Sequence, residues 1–345
     1  MKRLISNLIL LVVVSSVFFS CKNDKGARLE TISGRAGEVF VVLGKETWKA
    51  KTGELIREVL AQPQSSLPQA EPMFDLTNVP PEAFVNVFKK GRNILMIKIS
   101  PTYTESKVEF SNDIWAYPQA VVSIQVKSTE DFESLFKENS EKIMSFFLKA
   151  EKDRLKTTYK NMPEKSVYKT LLDEFHIQLY APNGFQIVKR DSTFAWIRYD
   201  TPQITQNIFV YTYPYDSDST FTEKFQVGMR NVITRKNIPG PSAGSYMTTE
   251  MELPRDFNIL KYNGNYASEM RGLWYVEHDF MGGPFISLSV LDAARKRIVT
   301  VEGNVYAPKD NKRNFLRQVE AIVYSLEFPK QKVNDKIIHQ LESGN

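Results

Sequence analysis

The stretch GFQIVKRDSTFAWIRYD, residues 184–200, divides into two apolar-rich runs, Phe185 to Arg190 and Phe194 to Asp200, around the polar turn Asp191-Ser192-Thr193. Aromatic and β-branched residues bounded by turn formers predict paired strands. The following segments extend the pattern. NIFVYTYP (207–214) is another strand, Phe221 to about Arg235 an amphipathic helix, and a proline/glycine loop follows it. Strands are then expected near YMTTEMEL (246–253), GLWYVEHDF (272–280), FISLSVLD (285–292) and RIVTVEGNVYA (297–307). The helix NKRNFLRQVEAIVYSLEF (311–328) closes the set, and the order fits an antiparallel sheet with helices on one side.

Upstream, Asn161-Met162-Pro163 marks a domain boundary, followed by a short helix through Val167, Leu171, Leu172 and Phe175. The first half holds the strand EVFVVL (38–43) and a helix from Glu46 to Ala61 with apolar residues at helical spacing. The segment PPEAFVNVFKKG (80–91) predicts a helix burying Phe84, Val87 and Phe88 and ending at Gly91. NILMIKIS (93–100) is a buried strand, and KVEFSND (107–113) with AVVSIQVKS (120–128) an antiparallel pair. Thr129 is positioned to cap a long helix with Phe132, Leu135, Phe136, Ile143, Phe146, Phe147 and Ala150 inside. The expected fold class is α+β: two domains, 32–160 and 161–328, each a mostly antiparallel sheet packed with helices, and a loose tail from 329 to 345.

The start of the chain gives an address. Met1-Lys2-Arg3 is basic, Leu8 to Phe19 is mostly apolar, and the only cysteine, Cys21, follows directly. This is a secretory-signal pattern. As a membrane span it is too short and is broken by Ser15 and Ser16. Phe18 is too bulky for the ordinary signal peptidase at the third position before the cut, whereas cleavage ahead of Cys21 by lipoprotein signal peptidase accepts it. The expectation is a signal over 1–20, a lipid on Cys21, a tether over 21–31, and a membrane partner held through the acyl chains. Lys22 after the cysteine does not favour inner-membrane retention, and CKNDK has one acid where surface export favours two. The periplasmic leaflet of the outer membrane is therefore the expected location.

A mature chain without cysteine has no disulfide and rests on its own core. Its charge is +5 before processing and +3 once Lys2 and Arg3 are removed, too little to argue for a nucleic-acid partner.

Several segments together resemble the DUF4837 family of uncharacterised Bacteroidota lipoproteins: SGRAGEVFVVL, LAQPQSSLPQAEPMFDLTNVPPEAF, RNILMIKIS and NDIWAYPQAVVSIQ. With the C-terminal segments, the likeness runs over nearly the whole mature chain. It implies an envelope lipoprotein in two parts and carries no activity. YAPNGFQIVKRDSTFAWIRY and the closing VEGNVYAP with FLRQVEAIVYSLEF resemble the PsbP/Mog1 type of α/β/α sandwich, which implies that fold for the second domain.

Catalytic motifs fail on their context. GPSAG (240–244) matches the nucleophile pattern, but a helix and Pro239 precede Ser242 and a strand follows it, the reverse of a nucleophile elbow. GKET (44–47) lacks the first glycine of a phosphate loop and places Glu46 where phosphate would be repelled. His176, His278 and His339 have no partner at helical ligand spacing, and DSDST (216–220) lacks the glycine and glutamate of a calcium loop. Thr220 with Glu223 reads instead as a capping box. No metal or cofactor is expected. Aromatics remain as candidate ligand-binding residues: Trp115 with Tyr117 on one strand face, and Tyr211, Tyr213 and Tyr215 on another. The leading expectation is a non-catalytic lipoprotein that binds an envelope protein or another ligand. The alternatives are glycan binding through those rings and a hydrolase built from scattered carboxylates.

Overall fold

The computed structural model describes residues 29–329. The signal, Cys21 and the tail from 330 onward lie outside the described residues. The N-terminal half runs β1 (Glu30–Thr31), β2 (Glu38–Val42), α1 (Lys45–Lys49), α2 (Lys51–Leu60), β3 (Asp75–Val79), a 3-10 turn (Pro81–Ala83), α3 (Asn86–Lys89), β4 (Asn93–Ile99), β5 (Lys107–Asn112), β6 (Ala116–Tyr117), β7 (Ala120–Val126) and α4 (Thr129–Asn161). Five strands form one sheet in the order β3-β2-β4-β7-β5.

The β5/β7 pair is antiparallel as expected, but β2/β3, β2/β4 and β4/β7 are parallel. The antiparallel expectation is thus corrected for this sheet. The crossover from β2 to β3 carries two helices, long enough to return the chain in the same direction. Both faces of the sheet are covered, so its strands read as continuous apolar runs. On one face Val39, Val41, Leu95 and Val122 pack against Ile56 and Leu60 of α2 and Phe132, Phe136 and Phe147 of α4. On the other, Val42, Ile94 and Val121 lie under Phe40, Phe84 and Trp115.

Local differences have local causes. The single helix expected over 46–61 breaks at Ala50, where the chain folds back so tightly that a Cβ on Gly53 would meet the Trp48 carbonyl oxygen at 1.8 Å. Val87, expected inside, is 62% exposed. The 3-10 turn and the extended Val85 shift the helical phase, so Phe84 and Phe88 alone point inward, against Trp115 and Phe40. Ser128, one residue before Thr129, caps α4 by accepting from the Asp131 N–H at 3.1 Å.

The second half contains α5 (Lys165–Phe175), β8 (Gln186–Arg190), β9 (Phe194–Asp200), β10 (Thr205–Pro214), α6 (Glu223–Asn237), β11 (Tyr246–Thr249), β12 (Asp256–Tyr262), β13 (Asn265–Glu277), β14 (Gly282–Asp292), β15 (Arg297–Tyr306) and α7 (Arg313–Val323). The order is β11-β13-β14-β15-β10-β9-β8, with β12 also on β13, and every pairing is antiparallel. The opening stretch is the β9–β8 edge hairpin, bulged between Ile187 and Lys189. Helices cover both faces rather than one. α5 and α7 enclose a core with Ile208, Val210, Val299, Val301, Leu316 and Val319. α6 covers the other, with Phe209, Tyr211, Met270, Trp274 and Phe285. Thr222, and not Thr220, caps α6.

The halves meet through polar contacts. Glu71 is buried, and its two carboxylate oxygens accept the Lys312 and Arg313 backbone N–H groups at 2.6 and 2.9 Å, capping α7 from the other domain. Arg313 forks onto Asp75, and Arg317 donates to the Met73 carbonyl. Beside them Arg271 bridges Glu269 and Glu320, which Lys152 of α4 also reaches, and Tyr324 donates to Glu269.

Candidate functional site

The sequence candidates for catalysis are not assembled. The Ser242 hydroxyl donates to Asp279 at 2.8 Å, and no imidazole among the described residues bonds to it. His278 sits in the turn after β13, mostly exposed, 4.0 Å from Glu277. Among the described residues no group of three or more His, Cys, Asp or Glu side chains is placed to hold a metal ion.

The aromatic candidates separate. Tyr211 and Tyr213 stack on each other at 6.2 Å within the core under α6, 2% and 7% exposed, so neither ring offers a face to a ligand. Burial raises the pKa of both phenols. Tyr215 is half-buried and donates to Asp218 at 2.7 Å. Trp115 and Tyr117 do not share a face, because the extended segment is only the two residues of β6. Trp115 turns inward, edge-on to Phe84 at 5.5 Å, while Tyr117 is 58% exposed.

Tyr117 is held outward by its neighbours. β6 pairs with β1, and Gln119, itself buried, ties the loop down. Its Oε1 accepts the Trp115 N–H, and its Nε2 donates to the Lys89 and Gly91 carbonyls at 2.7 and 2.6 Å. Asp113 accepts the Gln119 N–H at 2.7 Å.

Between this loop and α4 lies a groove of about 830 Å³. One wall is a single helical face: Phe146, Lys149, Ala150, Asp153, Arg154, Thr157 and Thr158. The other is Asn112, Asp113, Tyr117, Pro118 and Gln119, and Ile32, Arg92 and Leu155 complete the lining. From Phe146 to Thr158 is 12 residues, about 18 Å along the helix. That wall is as long as about five residues of extended chain.

Its floor is basic. Glu151, buried behind it, accepts from Arg154 at 2.9 Å and from Asn93 at 2.7 Å, and lies 2.9 Å from Arg92 Nε. Arg154 uses all three guanidinium nitrogens, donating also to Asn93 Oδ1 and to the Pro118 and Arg92 carbonyls. Burial lowers its pKa to about 10, against the pull of Glu151. Two guanidinium groups thus share one carboxylate. The terminal nitrogens of Arg92 donate no hydrogen bond to the described residues, and Arg92 lines the groove. Neither Arg92 nor Arg154 was marked by the sequence, since each is an ordinary basic residue beside a strand or on a helix.

Comparison with known proteins divides the chain at the same place. Residues 164–325 match the family described as domain of unknown function DUF4837. Residues 32–160 match a separate one, domain of unknown function DUF8532. The DUF4837 likeness therefore holds for the C-terminal domain, and the N-terminal segments read with it belong to the second match. Among solved structures, the Saccharomyces cerevisiae Ran-binding protein Mog1p is similar at 13% identity, over 46% of this chain and 92% of its own, with a TM-score of 0.31. A mutant of the protein Mog1 is similar at 12% identity, over 46% of this chain and 93% of its own, with a TM-score of 0.30. LpqN of Mycobacterium tuberculosis, involved in cell envelope biogenesis, is similar at 16% identity, over 43% and 79% of the two chains, with a TM-score of 0.27. No curated protein sequence matches.

Proposed function

We propose that this chain is a non-catalytic lipoprotein of the cell envelope that binds an extended segment of a partner protein in the Tyr117 groove. Cys21 carries the anchor, on the periplasmic leaflet of the outer membrane. Tyr117 packs on the bound segment, and the free nitrogens of Arg92 pair with a carboxylate or backbone carbonyl on it. The supporting observation is the groove itself, whose α4 wall is about as long as five residues of extended chain and whose lining brings Tyr117 and Arg92 together. Tyrosine and arginine are also the side chains on which binding energy concentrates. The glycan reading has less support, since of its five rings only Tyr117 stands largely in solvent.

Tyr117→Ala combined with Arg92→Gln is the test. Glu151 keeps Arg154 and Asn93, so the fold is retained, and urea denaturation of both proteins checks this. Co-purification from crosslinked envelopes is expected to lose one defined partner at least tenfold, because each anchor contributes on the order of 1–2 kcal/mol. Equal recovery with both proteins, or turnover of a substrate by the wild type, would rule the reading out.

A further inference from the structure

The exposed large apolar side chains of the N-terminal domain are Leu29, Val85, Val87, Ile114 and Tyr117. All five lie in three segments bound together at one end of the sheet. Ile32 N–H donates to the Tyr117 carbonyl, Ser33 N–H to the Lys90 carbonyl, and Arg92 N–H to the Ser33 carbonyl. Lys90 pairs with Glu30, and Gln119 bonds the Lys89 carbonyl. Beneath them Phe84, Phe88 and Trp115 already fill the inner layer against the sheet. Leu29, Val85, Val87 and Ile114 are thus a second apolar layer with no protein over it among the described residues, and Tyr117 borders it on the groove side.

The chain enters the fold at this same end. Seven residues separate Cys21 from Leu29, eight Cα steps that span at most about 28 Å when fully extended. Between them, Lys22, Lys25 and Arg28 outnumber Asp24, which suits an anionic lipid surface. We infer that this end of the N-terminal domain lies against the bilayer that holds the Cys21 lipid, with Leu29, Val85, Val87 and Ile114 seated in the interfacial region. The inference rests on the lipid at Cys21. The α4 wall of the groove lies on the face of the sheet opposite Phe84.

Cys21 is the only cysteine and its sulfur is consumed by the lipid, so any introduced thiol can be labelled uniquely. The lipidated protein carrying Val87→Cys, Ile114→Cys or, as a control on the C-terminal domain, Val232→Cys is labelled with a fluorophore and reconstituted in phosphatidylethanolamine/phosphatidylglycerol vesicles. Val232 is as exposed as Val87. A quencher confined to the lipid phase is expected to quench the labels at 87 and 114 about fivefold more than the label at 232, since shallow insertion places them in the interface. Equal quenching at all three positions overturns the docked face. Metabolic palmitate labelling of the same preparations separates the two readings. Its absence from the wild type overturns the lipid anchor itself, whereas label with equal quenching overturns only the docking.

Discussion

Replacing Arg230 with alanine is expected to destabilise the C-terminal domain by about 3–5 kcal/mol, enough to unfold many domains outright. Arg230 projects from α6 into the sheet and is completely buried. It forks onto Glu302 of β15, likewise fully buried, with both bonds at 2.8 Å. A third donor goes to the Thr249 hydroxyl at 2.8 Å, and the guanidinium lies 4.0 Å over the Phe285 ring. Without Arg230, the Glu302 carboxylate is left in an apolar layer with only a long 3.4 Å bond from Asn304. Its desolvation is then uncompensated. The paired replacement Arg230→Met with Glu302→Leu buries no charge and should recover most of the loss. Urea denaturation followed by far-UV circular dichroism measures all three proteins. A single variant within about 1 kcal/mol of wild type would contradict this account of the pair.

The second large effect lies between the domains. Glu320→Gln leaves Arg271 with Glu269 alone and Lys152 without its carboxylate, and should lower stability at neutral pH by about 3 kcal/mol. The wild-type pH dependence carries the same signature. Burial opposes ionisation of Glu320, but Arg271 and Lys152 outweigh it and bring its pKa from 4.5 down to about 2. A carboxyl depressed on folding stabilises the native state above its unfolded pKa and loses that contribution as pH falls. The window here is pH 4.5 to about 2, and the 2.5 units correspond to about 3 kcal/mol. Glu320→Gln should lack this decline. Unfolding free energies measured across that range decide it, and parallel curves for the two proteins would show that Glu320 does not lock the domains.

What the sequence revealed follows from the reach of each signal. The strand Asn93–Ile99 and the inner face of α4 were legible because each signal is local, a continuous apolar run in one and helical spacing in the other. Parallel pairing in the first sheet was not, because direction depends on what the crossover packs against, not on the strand itself. β12 escaped notice although its turn, Asn263-Gly264, carries the dipeptide that favours a two-residue hairpin, and both residues have positive φ. Of the aromatic candidates, Tyr117 stands in the groove because Gln119 and Asp113 fix its loop, contacts from segments that no local pattern links. Arg92 and Arg154 were invisible for the same reason. Glu151, which they share, lies 59 residues from Arg92 in the chain.

A photoreactive amino acid at position 117, compared with the same group at position 232, tests the binding claim most directly. Irradiation of intact cells is predicted to give an adduct at 117 with one polypeptide, mapped to an extended segment bearing an acidic residue, and abolished by Arg92→Gln. Adducts of equal yield at 117 and 232, or an adduct at 117 with glycan instead of protein, would contradict it.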